Sequence, residues 1–238
     1  MSGHSHWATT HRQKGLNDAK RGAIFTKVGR LITIAAKHGG DPGMNFKLRL
    51  AVETARSVNM PKDRIERAIK VGTGESKDGA EIEELVYEAY GPGQVALLIG
   101  VATDNRNRSL GEIRTLLTKN GGKMVAEGAV AYMFQAVGEI AAPLNGKNSD
   151  EAELTAIEAG ADDVVIEDNS LAVYTKPEEL QSVKESLEKA GFTIESAALS
   201  YRPTQTTELS DEDKEKYERL YELLDDHQDI QTVWDNLE

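Results

Sequence analysis

The sequence predicts an α+β protein with a basic helical head and an acidic mixed body, on three observations. Residues 1–78 carry fifteen Lys and Arg against seven Asp and Glu, a balance of +8, while residues 79–238 carry thirteen against thirty-three, a balance of −20. Apolar residues of the head recur at helical spacing. Beyond it, short strand-like runs alternate with helical ones, the pattern of small two-layer sandwiches. The 238 residues are 39% hydrophobic, which suits globular folding, and the net charge of −12 conceals the split. A basic head on an acidic body predicts a polyanion partner met head first.

The opening stretch to Gly22 is polar and basic with nothing to bury, so it reads as a segment that orders when something binds it. A helix follows, with Ile24, Phe25, Val28, Leu31, Ile32 and Ala35 on one face. Lys20, Lys27, Arg30 and Lys37 fall together beside that stripe, which predicts one row of cations turned to solvent. Gly39 to Gly43 end the helix. A second helix turns Leu48, Ala51, Val52 and Ala55 inward until Asn59-Met60-Pro61 breaks it. Pro61 suits the first turn of a third helix, with Ile65, Ala68 and Ile69 inward. Lys47, Arg49, Arg56, Lys62, Arg64, Arg67 and Lys70 give these two helices a basic skin. The pair fits a helix-turn-helix or a plain helical hairpin, and its turn lacks the usual central glycine. Gly72 to Gly79 lacks phosphate-loop spacing and follows a helix, so it reads as a linker, with the domain boundary at residue 78.

In the body, residues 85–90 and 95–103 flank Gly91-Pro92-Gly93 as strand, turn and strand. A helix over 106–119 buries Leu110, Ile113, Leu116 and Leu117 and stops at Gly121-Gly122. Strands are expected over 129–134 and 137–142, then a helix over 150–159, a hairpin over 163–175 turning at Asn169-Ser170, a helix over 178–190 and a strand over 192–201. Ser210 caps a last helix with Asp213 three residues on and Tyr217, Leu220, Tyr221 and Leu224 as its stripe. Trp234, in the tail, is expected to pack.

The chain has no cysteine, so disulfides, thiol catalysis and cysteine-ligated metals are excluded. The longest apolar run, Val95 to Ala102, is too short to span a bilayer, and the polar opening does not read as a signal peptide. The expectation is a cytoplasmic protein without membrane partner, cofactor or small-molecule substrate. No hydrolase, zinc-protease or dinucleotide motif occurs. A metal-dependent nuclease using Asp104 is the enzymatic alternative. His4, His6 and His11 lack a carboxylate spaced to complete a metal site, so His4, Trp7 and His11 are read with Arg12 and Lys14 as nucleic-acid contacts. Lys20, Arg21, Lys27 and Arg30 continue that set as phosphate neutralisers. Thr103 to Arg108 passes from strand to helix, and two readings stand: a phosphate site using Arg106 and Arg108, or a capped helix start. The glycine-bounded stretch Gly121 to Gly128 either reaches a groove with Lys123 and Met124 leading or is a loose connection.

Gly3-His4-Ser5-x-Trp7-Ala8, Asp18-Ala19-Lys20-Arg21-Gly22, Asn59-Met60-Pro61-Lys62-Asp63, Tyr90-Gly91-Pro92-Gly93, Thr103-Asp104-Asn105-Arg106-Asn107-Arg108 and Ala131-Tyr132-Met133-Phe134 together resemble the YebC/PmpR family nearly end to end. His6 stands where that motif commonly has lysine, and Ala129 where a serine is common. The resemblance implies three domains: a head over 1–78, a middle α/β domain over 79–135 with 203–238, and an inserted domain over 136–202, the last two of ferredoxin-like character. It implies no enzymatic activity. It implies a DNA-binding transcriptional regulator, or, as in a related mitochondrial translational activator, a partner of the ribosome and its RNA that eases synthesis of difficult nascent sequences. A protein-interaction adaptor, its acidic body holding a basic partner, is the third class.

Overall fold

Helix α1 (Asp18–Ala36), α2 (Phe46–Ser57) and α3 (Lys62–Gly72) build the head. The computed structural model describes residues 18–76, 81–167 and 169–237. Val28, Ile32, Ala35 and Ala36 of α1 close a core with Leu48, Ala51, Val52 and Ala55 of α2, Met60, and Ile65 of α3, while Ile24, Phe25 and Leu31 pack at its margin. Helix α1 begins upstream of Gly22, which therefore lies inside it. A helical glycine costs about 1 kcal/mol relative to alanine, and the packed turns that follow outweigh it. Asn45 joins two helices: its side chain caps α2 by accepting from the Leu48 amide (3.1 Å) and donates to the carbonyls of Ala35 (2.7 Å) and Gly39 (2.8 Å). Gly72 lets α3 close on α1, since a Cβ there would lie 2.3 Å from the Thr33 carbonyl oxygen.

Strands β1 (Glu83–Tyr90) and β2 (Ala96–Thr103) pair antiparallel from Glu83 opposite Thr103 to Tyr90 opposite Ala96. The turn between them needs Gly93 (φ 65°), where a Cβ would collide with Leu209 at 2.1 Å. Helix α4 (Arg106–Lys119) follows, then β3 (Lys123–Met124), which pairs with the end of β1. Later in the chain, α7 (Asp211–Asp225) and β8 (Ile230–Asp235) complete a sheet of order β3-β1-β2-β8. One sheet face, with Leu97, Ile99 and Val101, packs on Ile113 and Leu117 of α4 and on Tyr217, Leu220 and Leu224 of α7. Ser210 caps α7 as expected, accepting from the Asp213 amide (3.2 Å). Trp234 lies on β8, a strand the sequence reading missed, and sits over Gly100, where a Cβ would approach the indole to 3.1 Å.

The strand expected from Ala129 is instead a 3-10 turn, Ala131–Met133, and β4 runs unbroken over Phe134–Pro143. The cause is Glu88, whose buried carboxylate accepts the amides of Gly128 (2.5 Å), Val130 (2.6 Å) and Ala131 (2.9 Å) and so removes them from any ladder. The preceding stretch is tied as well: Lys123 and Met124 pair with β1, and the Val125 amide donates to the Glu88 carbonyl (2.9 Å).

The second compact unit, Gln135–Arg202, interrupts the first in sequence. It contains β4, α5 (Ser149–Glu158), β5 (Asp163–Glu167), β6 (Ser170–Thr175), α6 (Leu180–Lys189) and β7 (Ser196–Pro203). Its antiparallel sheet has the order β5-β6-β4-β7. The chain order β-α-β-β-α-β with the first and third strands central is the ferredoxin-like split β-α-β arrangement. Ile140, Leu171, Val173, Leu180, Val183 and Leu187 are buried there. The fold is α+β throughout, and no helix of the described residues is long and apolar enough to cross a membrane.

Candidate nucleic-acid interface

Of the expected cation row, Lys27 and Arg30 turn onto the chain's own oxygens rather than to open solvent, and Lys37, though exposed, is paired as well. Lys27 donates to the Asp225 carbonyl and lies 3.5 Å from the Asp225 carboxylate. Arg30 Nη1 meets Asp229 Oδ1 at 2.6 Å and also donates to the Gln228 carbonyl. Lys37 donates to the Ile82 carbonyl (2.8 Å) and pairs with Glu81 (3.5 Å). This corrects the expectation of an open row. Helical spacing does bring these cations to one side of α1, but the acidic carboxyl-terminal segment and the start of the sandwich supply their oxygens. Burial pushes the Lys27 pKa down even against the pull of Asp225.

Asp229, fully shielded from solvent, is the centre of this joint. Its Oδ2 accepts from Ser109 Oγ (2.6 Å), Arg108 Nη2 (2.9 Å) and Thr103 Oγ1 (3.3 Å). Burial alone would raise its pKa; the bonds from Ser109 and Arg108 and the charge of Arg30 outweigh burial and hold it below the ordinary carboxylate range. The Asp229 amide donates to His227 Nδ1 (3.2 Å), which leaves Nε2 to carry the proton toward Glu112 at 3.1 Å.

The motif Thr103 to Arg108 therefore forms a capped helix start. Asn105 Oδ1 accepts from the Arg108 amide (3.1 Å), and Thr103 Oγ1 accepts from the Asn105 amide (2.9 Å). The expected pairing of Arg106 with Arg108 as one contact is corrected here. Arg108 is committed to Asp104 (2.8 Å) and Asp229, while Arg106 is exposed. Lys123 is exposed and lies over the Tyr90 ring, 5.4 Å from its centroid. Arg21 is exposed on α1. Lys20 occupies the first turn of α1, with its side chain outside the described residues, where His4, Trp7, His11, Arg12 and Lys14 also lie.

What the head does expose is the skin of α2 and α3. Lys47, Arg56, Lys62, Arg64, Arg67 and Lys70 are all exposed. Lys62 pairs with Glu66 (3.5 Å), and Arg64 lies over the Phe25 ring (5.4 Å). Among the described residues, Lys47, Arg56, Arg67 and Lys70 meet no carboxylate within ion-pairing distance. The sequence placed these six and Arg49 on the surface without separating them from the α1 row; Arg49 is instead half-buried and donates to the carbonyls of Pro42 (3.0 Å) and Gly43 (3.2 Å). The distinguishing signal was the acidic run Asp225, Asp226 and Asp229, which needs counter-charges nearby. Among the described residues, no group of three or more His, Asp or Glu could hold a metal ion.

Two family models match: the TACO1/YebC protein N-terminal domain over residues 5–75, and the TACO1/YebC second and third domain over residues 82–237. The chain belongs to the TACO1/YebC family. A relative from Halothermothrix orenii, named a probable transcriptional regulatory protein, is 46% identical over 242 residues, which cover 100% of this chain and 95% of the relative. One of the same name from Acidithiobacillus ferrooxidans is 48% identical over 237 residues, covering 99% and 94%. The crystal structure of a conserved hypothetical protein from Aquifex aeolicus superposes with a TM-score of 0.90 at 42% identity, covering 98% of this chain and 97% of that one. In this TACO1/YebC chain, the second model begins at Ile82, whose carbonyl receives Lys37 of the head.

Proposed function

We propose that this chain is a non-enzymatic regulator of gene expression that binds nucleic acid through the exposed cations of α2 and α3, continued by the basic stretch before α1. The single observation that carries this reading is that Lys47, Arg56, Arg67 and Lys70 remain exposed and unpaired among the described residues of a chain that pairs Lys27, Arg30 and Lys37 internally. A protein of net charge −12 that leaves such a patch uncovered has a surface suited to phosphate oxygens. The names of the relatives support a regulatory role. Three domains are proposed: the head to residue 78, a middle α/β domain over 79–135 with 203–238, and an inserted domain over 136–202 whose strand order supports the ferredoxin-like description.

The exposed cations on α3 are Lys62, Arg64, Arg67 and Lys70, interleaved with Asp63 and Glu66, and the helix contains no Asn or Gln to reach an adenine edge. Such a helix favours backbone contacts over base readout. That feature supports a second reading, contact with structured RNA and the ribosome, beside transcriptional control at DNA. Sedimentation with ribosomes at low salt, run beside footprinting on a DNA library, separates the two. Co-sedimentation without a footprint supports the RNA reading, a protected DNA site supports the transcriptional one, and the absence of both overturns the proposal.

A further inference from the structure

The head and the sandwich keep separate apolar cores. Val28, Ile32, Leu48 and Val52 belong to one, and Leu97, Ile99, Leu117 and Leu220 to the other; no buried residue belongs to both. Polar groups at three points join α1 to the sandwich: Lys27 at Asp225, Arg30 at Gln228 and Asp229, and Lys37 at Ile82 and Glu81. Each cation ends on two oxygens, one of them a backbone carbonyl. A helix rising 1.5 Å per residue sets Lys27 and Lys37, the latter just past the end of α1, about 15 Å apart along the axis, a row long enough to meet more than one phosphate of a nucleic-acid strand. We propose that Asp225 to Asp229 and Glu81 cover a second phosphate-binding row on α1, and that a nucleic-acid backbone displaces them and releases the head from the sandwich. This rests on the nucleic-acid reading above and adds its regulation: the chain's own carboxylates compete with the ligand.

The geometry makes the displacement reversible. Asp225 and Glu81 are 46% and 84% exposed, so water receives them when their lysines leave. Ion pairs of such exposure are weak and screened by salt. Asp229 is buried, but Oδ2 keeps Ser109, Arg108 and Thr103 after Arg30 departs, so its charge is not orphaned. The joint is thus built from contacts that a denser array of anionic oxygens can replace.

The test uses the full chain with Asp225→Asn and Glu81→Gln, which remove the two exposed carboxylates, leave Asp229 and the carbonyl contacts of Lys27, Arg30 and Lys37 in place, and so shift the population toward the uncovered state without abolishing the joint. A control with Glu215→Gln and Glu218→Gln, both exposed on α7, removes the same charge elsewhere. The probes are a fluorescein-labelled 24-base-pair DNA duplex and an RNA hairpin of similar length. Where the covered state holds roughly nine-tenths of the population, uncovering the row tightens binding up to about tenfold, and the control falls well short of it. Because the sequence has no cysteine, Ser57→Cys and Lys214→Cys place a donor–acceptor dye pair on the head and on α7, and energy transfer is expected to fall as either probe saturates. Equal binding by variant and control, or unchanged transfer at saturation, overturns the covering role. If the unaltered chain still binds in a salt-dependent way, the nucleic-acid reading survives that result. Absence of binding by every variant removes both.

Discussion

Asp229 and Glu88 show how two buried carboxylates organise a surface otherwise rich in acid. Asp229 gathers Arg30 and Arg108 from different helices, and Glu88 gathers three consecutive-region amides. Asp229→Asn leaves Arg30 beside an oxygen without charge, so unfolding free energy is expected to fall by about 3–5 kcal/mol, read from urea denaturation. At Glu88, burial raises the pKa, but the amides of Val130, Gly128 and Ala131 outweigh it and the net shift is downward. Asp229 is lowered too. Stability from both is therefore complete above the unfolded carboxylate value, about pH 4, and is lost as pH falls through their lower folded values. Glu88→Gln is expected to lower stability at pH 7 and to flatten its decline below pH 5, followed by circular dichroism. An unchanged acid profile would mean that Glu88 is not a carboxylate on which folding depends.

Among the elements, the contact of α3 with α1 makes the sharpest demand. With the Thr33 carbonyl 2.3 Å from a Cβ at position 72, Gly72→Ala must force the helices apart and is expected to cost about 1–3 kcal/mol in a thermal or urea melt. Asn45→Ala removes a cap and the bonds to Ala35 of α1 and to Gly39 in the turn after it, a loss of about 1–2 kcal/mol. Elements set by local pattern were legible in the sequence: the stripe on α2, the Ser210 cap of α7, and the hairpin at Asn169 (φ 67°). Those set by partners distant in sequence were not. Strand β8 exists because β2 needs an outer neighbour, and Ile230 to Asp235 carries no alternation strong enough to announce it. The run from Ala129 to Phe134 reads as a strand until Glu88, forty residues upstream, claims its amides. The α1 row was found correctly as a row, but its direction depends on Asp225 and Asp229, which lie about 200 residues away.

For the whole molecule, charge separation along the chain becomes charge pairing in space over part of the head and leaves the rest uncovered. This divides the head's cations into two classes with different expected behaviour. Lys27, Arg30 and Lys37 hold the head in place, so their loss alters stability and the freedom of the head. Arg56, Arg67 and Lys70 touch no carboxylate of the described residues, so their loss should leave folding intact while weakening phosphate binding. The most direct measurement of that division is the affinity of the full chain for a labelled duplex and an RNA hairpin, titrated from 50 to 300 mM salt, beside Arg56→Glu, Arg67→Glu and Lys70→Glu combined. The account predicts a linear fall of log affinity with log salt, a slope corresponding to about four to eight phosphates, and a slope smaller by about three in the triple variant at unchanged melting temperature. A flat salt response, or a triple variant that binds like the unaltered chain, contradicts it.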